Sequence, residues 1–171
     1  MKILTRNECA QFLLSHDNFC ILTHRRPDGD TIGSTAALCL GLRQLGKTAH
    51  VLFNAEVSAR FAWLHEGLTK ESVEEGDILV SVDVASPGML GAHFAPLQEK
   101  IRLRIDHHGS GREYTPREYV DSEMASCCEI IWELLPELDV QMDKDGNPIS
   151  AEILWQGRRI LSMEIENFQL Q

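Results

Sequence analysis

Long apolar runs are missing from this chain: no stretch of its 171 residues approaches the roughly 20 needed to cross a bilayer, which leaves a membrane out of its partners. The first residues, Met1-Lys2-Ile3-Leu4-Thr5, are basic too briefly for a leader segment, and polar residues follow at once. Basic charge is also scarce, with 16 Lys and Arg against 26 Asp and Glu and a net charge of −10. That balance argues against a surface that grips long duplex nucleic acid. A small anionic substrate stays within reach, because bound metals would reverse the sign of the field locally. Zinc-knuckle and C-x-x-C spacings are absent: Cys9, Cys20, Cys39, Cys127 and Cys128 are odd in number and sit in apolar contexts. They read as reduced core thiols of a cytoplasmic protein. Internal repeats and low-complexity tracts are lacking too. What is present, 43% hydrophobic and 25% charged residues, is the composition of one ordinary globular domain with a proper core.

Local signals divide the chain into alternating elements. Thr5-Arg6-Asn7-Glu8 has capping-box spacing and predicts a helix to about His16. Phe19 to Thr23 reads as a buried strand, Thr31 to Leu45 as a helix stopped by Gly46, and Ala49 to Phe53 as a second strand. The segment 54–76 mixes polar residues with Phe61, Trp63 and Leu64 and carries little pattern. Strands ending at Asp83 and Asp106 follow, separated by a helical stretch near Pro87 to Leu97. Tyr119-Val120-Asp121 suggests another short strand, Glu123 to Leu135 a helix, Asp143 to Pro148 a turn-rich loop, and Ile149 to about Leu161 a helix. Strands alternating with helices predict an α/β fold, a mostly parallel sheet with helices on both faces.

Three of the apolar runs end in clusters of acids and imidazoles. Cys20-Ile21-Leu22-Thr23 leads into His24-Arg25-Arg26-Pro27-Asp28-Gly29-Asp30, Ile78 to Val82 leads into Asp83, and Ile101 to Ile105 leads into Asp106-His107-His108. In an open α/β sheet the ligand crevice lies outside the carboxyl ends of the strands. If these strands are neighbours, the clusters meet, and so much negative charge in one place calls for divalent cations. Gly29 permits a tight loop that aims Asp28 and Asp30 at different ions, and the amides near Gly33 and Ser34 favour a phosphate. The plainer reading of this loop is a strand-to-helix connection with an aspartate cap. Asp83 alone would also be a cap or turn residue; as a shared carboxylate it bridges two ions. Asp106 can hold the histidine pair in one tautomer. Mixed imidazole and carboxylate ligands suit manganese, with magnesium or cobalt as alternatives. Two such ions could activate a water and clamp a phosphoryl group.

Together the three motifs resemble the DHH phosphoesterase superfamily, named for the triplet Asp106-His107-His108. The block Thr23 to Ser34 especially resembles the branch that degrades very short RNAs and dephosphorylates 3′-phosphoadenosine 5′-phosphate. The likeness runs from about Phe19 to Glu152, and Ala125 to Ile131 matches a family helix start. It implies a parallel α/β domain carrying two manganese ions. By the same resemblance, His24, Asp28 and Asp83 hold one ion, and Asp30, Asp83 and His107 the other. His108 contacts the phosphate and polarises the leaving group, and Asp106 supports the pair. From the residues themselves, Arg25 and Arg26 are candidates to meet the substrate phosphate beside the metals, with solvent exposure as the plainer reading, and Ser34 is a candidate substrate contact at the helix opening.

The pattern departs from the family near the end. The fourth metal motif of the family is an Asp, and no Asp lies beyond Asp145. Glu164 is the candidate at that place, with surface charge as its plainer reading. Residues 1–157 are therefore expected to form the catalytic domain and 158–171 a divergent tail, where family enzymes continue into a second, substrate-gripping domain. A truncated chain with impaired turnover is the expectation.

Outside these motifs, His16, His50, His65 and His93 lack partners at ligand spacing, and Trp63, Trp132 and Trp155 fit packing better than base stacking. Asp143 and Asp145 fail as a calcium loop because Pro148 interrupts it. Three functions stay open: a manganese phosphoesterase for short oligonucleotides or small nucleotide phosphates, a pyrophosphate, polyphosphate or cyclic-dinucleotide hydrolase of the same fold, and a silent metal-binding module. Pairing of the chain as a homodimer is compatible with all three.

Overall fold

Apolar residues on both sides of the pleat make the central strands of this protein. The computed structural model describes residues 1–141. The expected loop at 143–148, the helix from 149, Trp155, Glu164 and the tail from 158 lie outside the described residues. Strands β1 (Lys2–Ile3), β2 (Phe19–Leu22), β3 (Ala49–Leu52), β4 (Thr69–Lys70), β5 (Ile78–Val82), β6 (Ile101–Asp106) and β7 (Arg117–Val120) form one sheet in the order β1-β7-β6-β5-β2-β3-β4. Every pairing is parallel, so the expected α/β class is observed.

Alternation sorts the strand residues between two cores. Phe19, Ile21, Val80, Val82, Leu103 and Ile105 pack on one face against three helices: α1 (Arg6–Ser15), α2 (Gly29–Gln44) and, last among the described residues, α4 (Cys127–Glu137). Cys20, Leu22 and Leu79 point the other way, under Leu90 and Phe94 of the helical turns spanning 87–100, which include the one-turn helix α3 (Gly91–Phe94). Both faces are covered, as a parallel sheet requires.

Helix boundaries follow their caps. Thr5 and Glu8 form the expected capping box of α1. The second helix begins at Gly29 rather than Thr31, because the Asp28 carboxylate already accepts the Thr31 amide. The last begins at Cys127 rather than Glu123, because the Ser126 hydroxyl accepts the Glu129 amide at 3.1 Å. Among the described residues no helix is long and apolar enough to cross a membrane.

Strand order locates the crevice. From β2 the chain works outwards through β3 to β4, then returns to lay β5 against the other side of β2 and works outwards through β6 to β7. The direction of winding reverses between β2 and β5, and in open sheets that reversal opens a cleft beyond the carboxyl ends of the two strands. The three acidic clusters stand at the ends of β2, β5 and the neighbouring β6.

Candidate metal centre

The first loop is braced so that one imidazole nitrogen stays available. His24 Nδ1 donates to the Arg25 carbonyl at 2.6 Å, which leaves the lone pair of Nε2 to face the cleft. That nitrogen lies 3.9 Å from Asp28 Oδ1 and 3.7 Å from Asp83 Oδ2. Asn54 Nδ2 holds the loop from outside, donating to Thr23 Oγ1 at 2.9 Å and to the His24 carbonyl at 3.1 Å. Asp28 caps α2, yet 68% of its side chain is exposed, so a cap and a ligand are compatible roles for one carboxylate.

Asp83 is the centre of the arrangement. Its backbone takes a left-handed conformation at φ 61° as the chain leaves β5, and its side chain is 3% exposed. The Thr31 hydroxyl donates to Asp83 Oδ2, whereas buried Oδ1 has no hydrogen-bond partner among the described residues. Burial, then the charge of Asp30, with smaller effects from Asp28 and Asp106, pushes the Asp83 carboxyl up to about 8 against the opposing Thr31 hydrogen bond. A buried carboxylate oxygen facing other acids and bonded to nothing lacks a positive partner.

At the end of β6, Asp106 sets the histidine pair. Its Oδ1 accepts the amides of His107 and His108 at 2.8 and 3.3 Å and the His108 Nδ1 hydrogen at 2.8 Å. With Nδ1 so engaged, His108 offers Nε2 to the cleft. His107 Nε2 lies 3.7 Å from both Asp30 Oδ2 and Asp83 Oδ1. Beneath them Arg104, 2% exposed, pairs with Asp106 and donates to Glu118 Oε2 at 2.9 Å. Gly111 leaves room for that guanidinium; a Cβ there would stand 2.6 Å from the Ala85 carbonyl and collide with Arg104.

Asp30 is gripped by the start of α4, which packs beside α2 on the same face of the sheet. Its two oxygens accept the amides of Cys128 at 2.7 Å and Cys127 at 2.9 Å. The helix start noted in the sequence thus orients a carboxylate through main-chain groups that no side-chain pattern discloses.

His24, Asp28, Asp30, Asp83, Asp106, His107 and His108 are therefore brought together. Two ligand-like groups stand out, His24 with Asp28 and Asp83, and Asp83 with His107 and His108. They share Asp83, whose unbonded oxygen fits a cation. Arg25 and Arg26 are exposed on the rim. Ser34 departs from its expected place: it is fully buried one turn into α2, and its hydroxyl donates to the Thr31 carbonyl at 3.1 Å. The amides near Gly33 and Ser34, expected to favour a phosphate, lie inside α2, which starts at Gly29 and is capped by Asp28. Trp63 is 44% exposed and Phe53 40%, and both line a cavity of about 360 Å³ with Asn54, Val57 and His65. The packing expected of Trp63 is not seen, since none of the described elements covers its side chain. Thr31, Arg104, Glu118 and Asn54 were not among the expected site residues.

Residues 18–156 match the family model described as DHH family, N-terminal domain. The chain is 30% identical over 137 residues to the bifunctional oligoribonuclease and PAP phosphatase NrnA of Thermus thermophilus, a match covering 78% of this chain and 41% of that protein. It is 27% identical over 134 residues to the protein of the same name from Bacillus subtilis, covering 77% and 42%. The chain thus spans less than half the length of these curated relatives. Its fold is similar to the crystal structure of an exopolyphosphatase-related protein from Bacteroides fragilis, with TM-score 0.65, 18% identity and coverage of 92% of this chain and 48% of that one. It is also similar to exonuclease RecJ bound to manganese, with TM-score 0.51, 17% identity and coverage of 81% and 38%.

Proposed function

The chain belongs to the DHH family, and from that premise we propose that it is a manganese-dependent phosphoesterase acting on short oligoribonucleotides or 3′-phosphoadenosine 5′-phosphate. The observation that carries this reading is the buried, unbonded Oδ1 of Asp83 among imidazoles and carboxylates at the β2–β5 reversal. His24, Asp28 and Asp83 would hold one ion, and Asp30, Asp83 and His107 the other. When bound, such ions supply charge neutralisation at the phosphoryl group and a water acidic enough to attack at neutral pH. The names of the two curated relatives support the substrate class, and a solved neighbour bound to manganese supports the metal.

The side chains of this protein do the positioning. Asp106 holds His108 by its Nδ1 hydrogen, and the imidazolium form would donate its Nε2 hydrogen to a non-bridging phosphate oxygen or to the leaving oxygen. Arg25 and Arg26 offer exposed guanidinium groups to the remaining phosphate charge. Phe53 and Trp63 give a nucleobase an apolar face on the same rim, a surface that tolerates any base.

The test is a panel of a diribonucleotide, 3′-phosphoadenosine 5′-phosphate, pyrophosphate and a cyclic dinucleotide, each incubated with the protein and manganese. Release of mononucleotide or phosphate from the first two, abolished by chelator, is the expected result. Hydrolysis of pyrophosphate or the cyclic dinucleotide alone would change the substrate class. No hydrolysis of any of the four, with manganese bound, would make the chain a metal-binding module. Trp63→Ala should raise KM for the diribonucleotide while leaving kcat within a few-fold, since stacking strengthens the ground state and the transition state equally.

A further inference from the structure

The amino-terminal end of the same strands holds a second cluster. Cys20 of β2 and His50 of β3 are register partners, and Asp77 directly precedes β5, which flanks β2 on its other side. Sulfur, ring nitrogen and carboxylate oxygen all lie within 4.8 Å of one another. Cys20 is fully buried, His50 is 6% exposed, and the Asp77 side chain is 6% exposed. His50 Nε2 is 3.7 Å from Asp77 Oδ2, too far for a hydrogen bond, and has no hydrogen-bond partner among the described residues. A nearly buried imidazole nitrogen aimed at a thiol and a carboxylate, and bonded to neither, is arranged as ligands are around an ion. Cys20 is buried in the core as expected, and His50, read as lacking partners at ligand spacing, stands beside Cys20 and Asp77 because these come from strands adjacent in space and distant in sequence.

We propose that Cys20, His50 and Asp77 form a second metal site, for one zinc-class ion, at the opposite end of the strands from the carboxylate-rich centre. One sulfur, one nitrogen and one oxygen donor suit zinc, whereas the oxygen-rich centre suits manganese. The Glu74 amide donates to Asp77 Oδ2 at 2.7 Å, orienting the carboxylate as outer-sphere partners do. The fourth position of a zinc-class ion there would fall to water or another ligand. Binding requires the Cys20 thiolate, and burial first, then Asp77, pushes that thiol up to about 12. The ion would tie β2, β3 and the lead into β5 together beneath the catalytic cleft.

The test is a titration of the full chain, first stripped with chelator, with Co²⁺ as a coloured substitute for zinc. One equivalent should produce a near-ultraviolet sulfur-to-cobalt charge-transfer band that equimolar Zn²⁺ removes. The band should be lost in Cys20→Ser, weakened at least about tenfold in cobalt affinity in His50→Gln, and retained in Asp83→Asn, which disables the other centre. No band in the parent chain, or a band that survives Cys20→Ser, would overturn the site. If Cys20→Ser does not fold, Asp77→Asn replaces it: weaker zinc binding with unchanged circular dichroism supports the site, and unchanged zinc affinity overturns it. Manganese-dependent hydrolysis measured on the same samples reports on the cleft separately.

Discussion

Single residues in this protein do different work from what their type suggests, and Asp83 is the sharpest case. It terminates an apolar strand, as many turn aspartates do, but its left-handed backbone and burial leave one oxygen unbonded. Asp83→Ala should lower manganese affinity and kcat by more than the roughly 10–100-fold typical of outer-sphere partners, because two ions lose a ligand at once. Thr31→Val, removing the hydroxyl that donates to Asp83 Oδ2 and lies 3.3 Å from Asp28 Oδ1 while keeping both carboxylates, should fall within that 10–100-fold range. A pH dependence follows with a definite sign. The folded protein holds the Asp83 proton up to about 8, against an ordinary value of 3.8. Metal-free folded protein then binds more protons than the unfolded chain across that window, so this group destabilises the fold progressively as pH rises from about 4 to about 8. Thermal melts in chelator should show that decline, and saturating manganese should flatten it. Asp83, His24, Asp28 and His107 were legible in the sequence because ligand-type residues closed apolar runs. Thr31 was not, since a hydroxyl in a first helical turn reads as any capping group.

At the scale of elements, the catalytic loops are held by buried supports rather than by one another. Alternation in β6 makes Arg102 and Arg104 look alike as polar strand positions two apart; only the position of the sheet interior decides that Arg104 is buried against Asp106 and Glu118. Removing one member of such a buried pair leaves the other uncompensated, so Glu118→Ala should cost about 3–5 kcal/mol in denaturant unfolding. It should also loosen His108 through Asp106. A smaller effect is expected at the start of α4. Ser126→Ala removes the helix cap at a cost of about 1 kcal/mol, and the amides of Cys127 and Cys128 then hold Asp30 less firmly, which should show as weaker manganese binding at unchanged secondary structure. Elements themselves were readable to within a few residues where periodicity had room to repeat. β1, two residues at the sheet edge, and β4, two residues in the unpatterned segment, were too short to carry a period.

Across the whole molecule, winding direction decides where chemistry can occur. Reversal between β2 and β5 puts three strand tips in one cleft, and the hydrolytic reading, the family match and the negative surface converge there. The net charge of −10 repels a polyanion at long range, whereas under the proposed function a substrate of a few phosphates would meet ions and two arginines at short range. Residues on the same sheet but at its other end, Cys20, His50 and Asp77, were invisible as a group because a parallel register is not written in local sequence.

Anomalous diffraction at the manganese absorption edge, from crystals of the full chain grown with manganese, tests the central claim most directly. Two peaks joined by the Asp83 carboxylate, one beside His24 and Asp28 and the other beside Asp30 and His107, are the expected result. A cleft without manganese, or ions bound without contact to Asp83, would contradict the account.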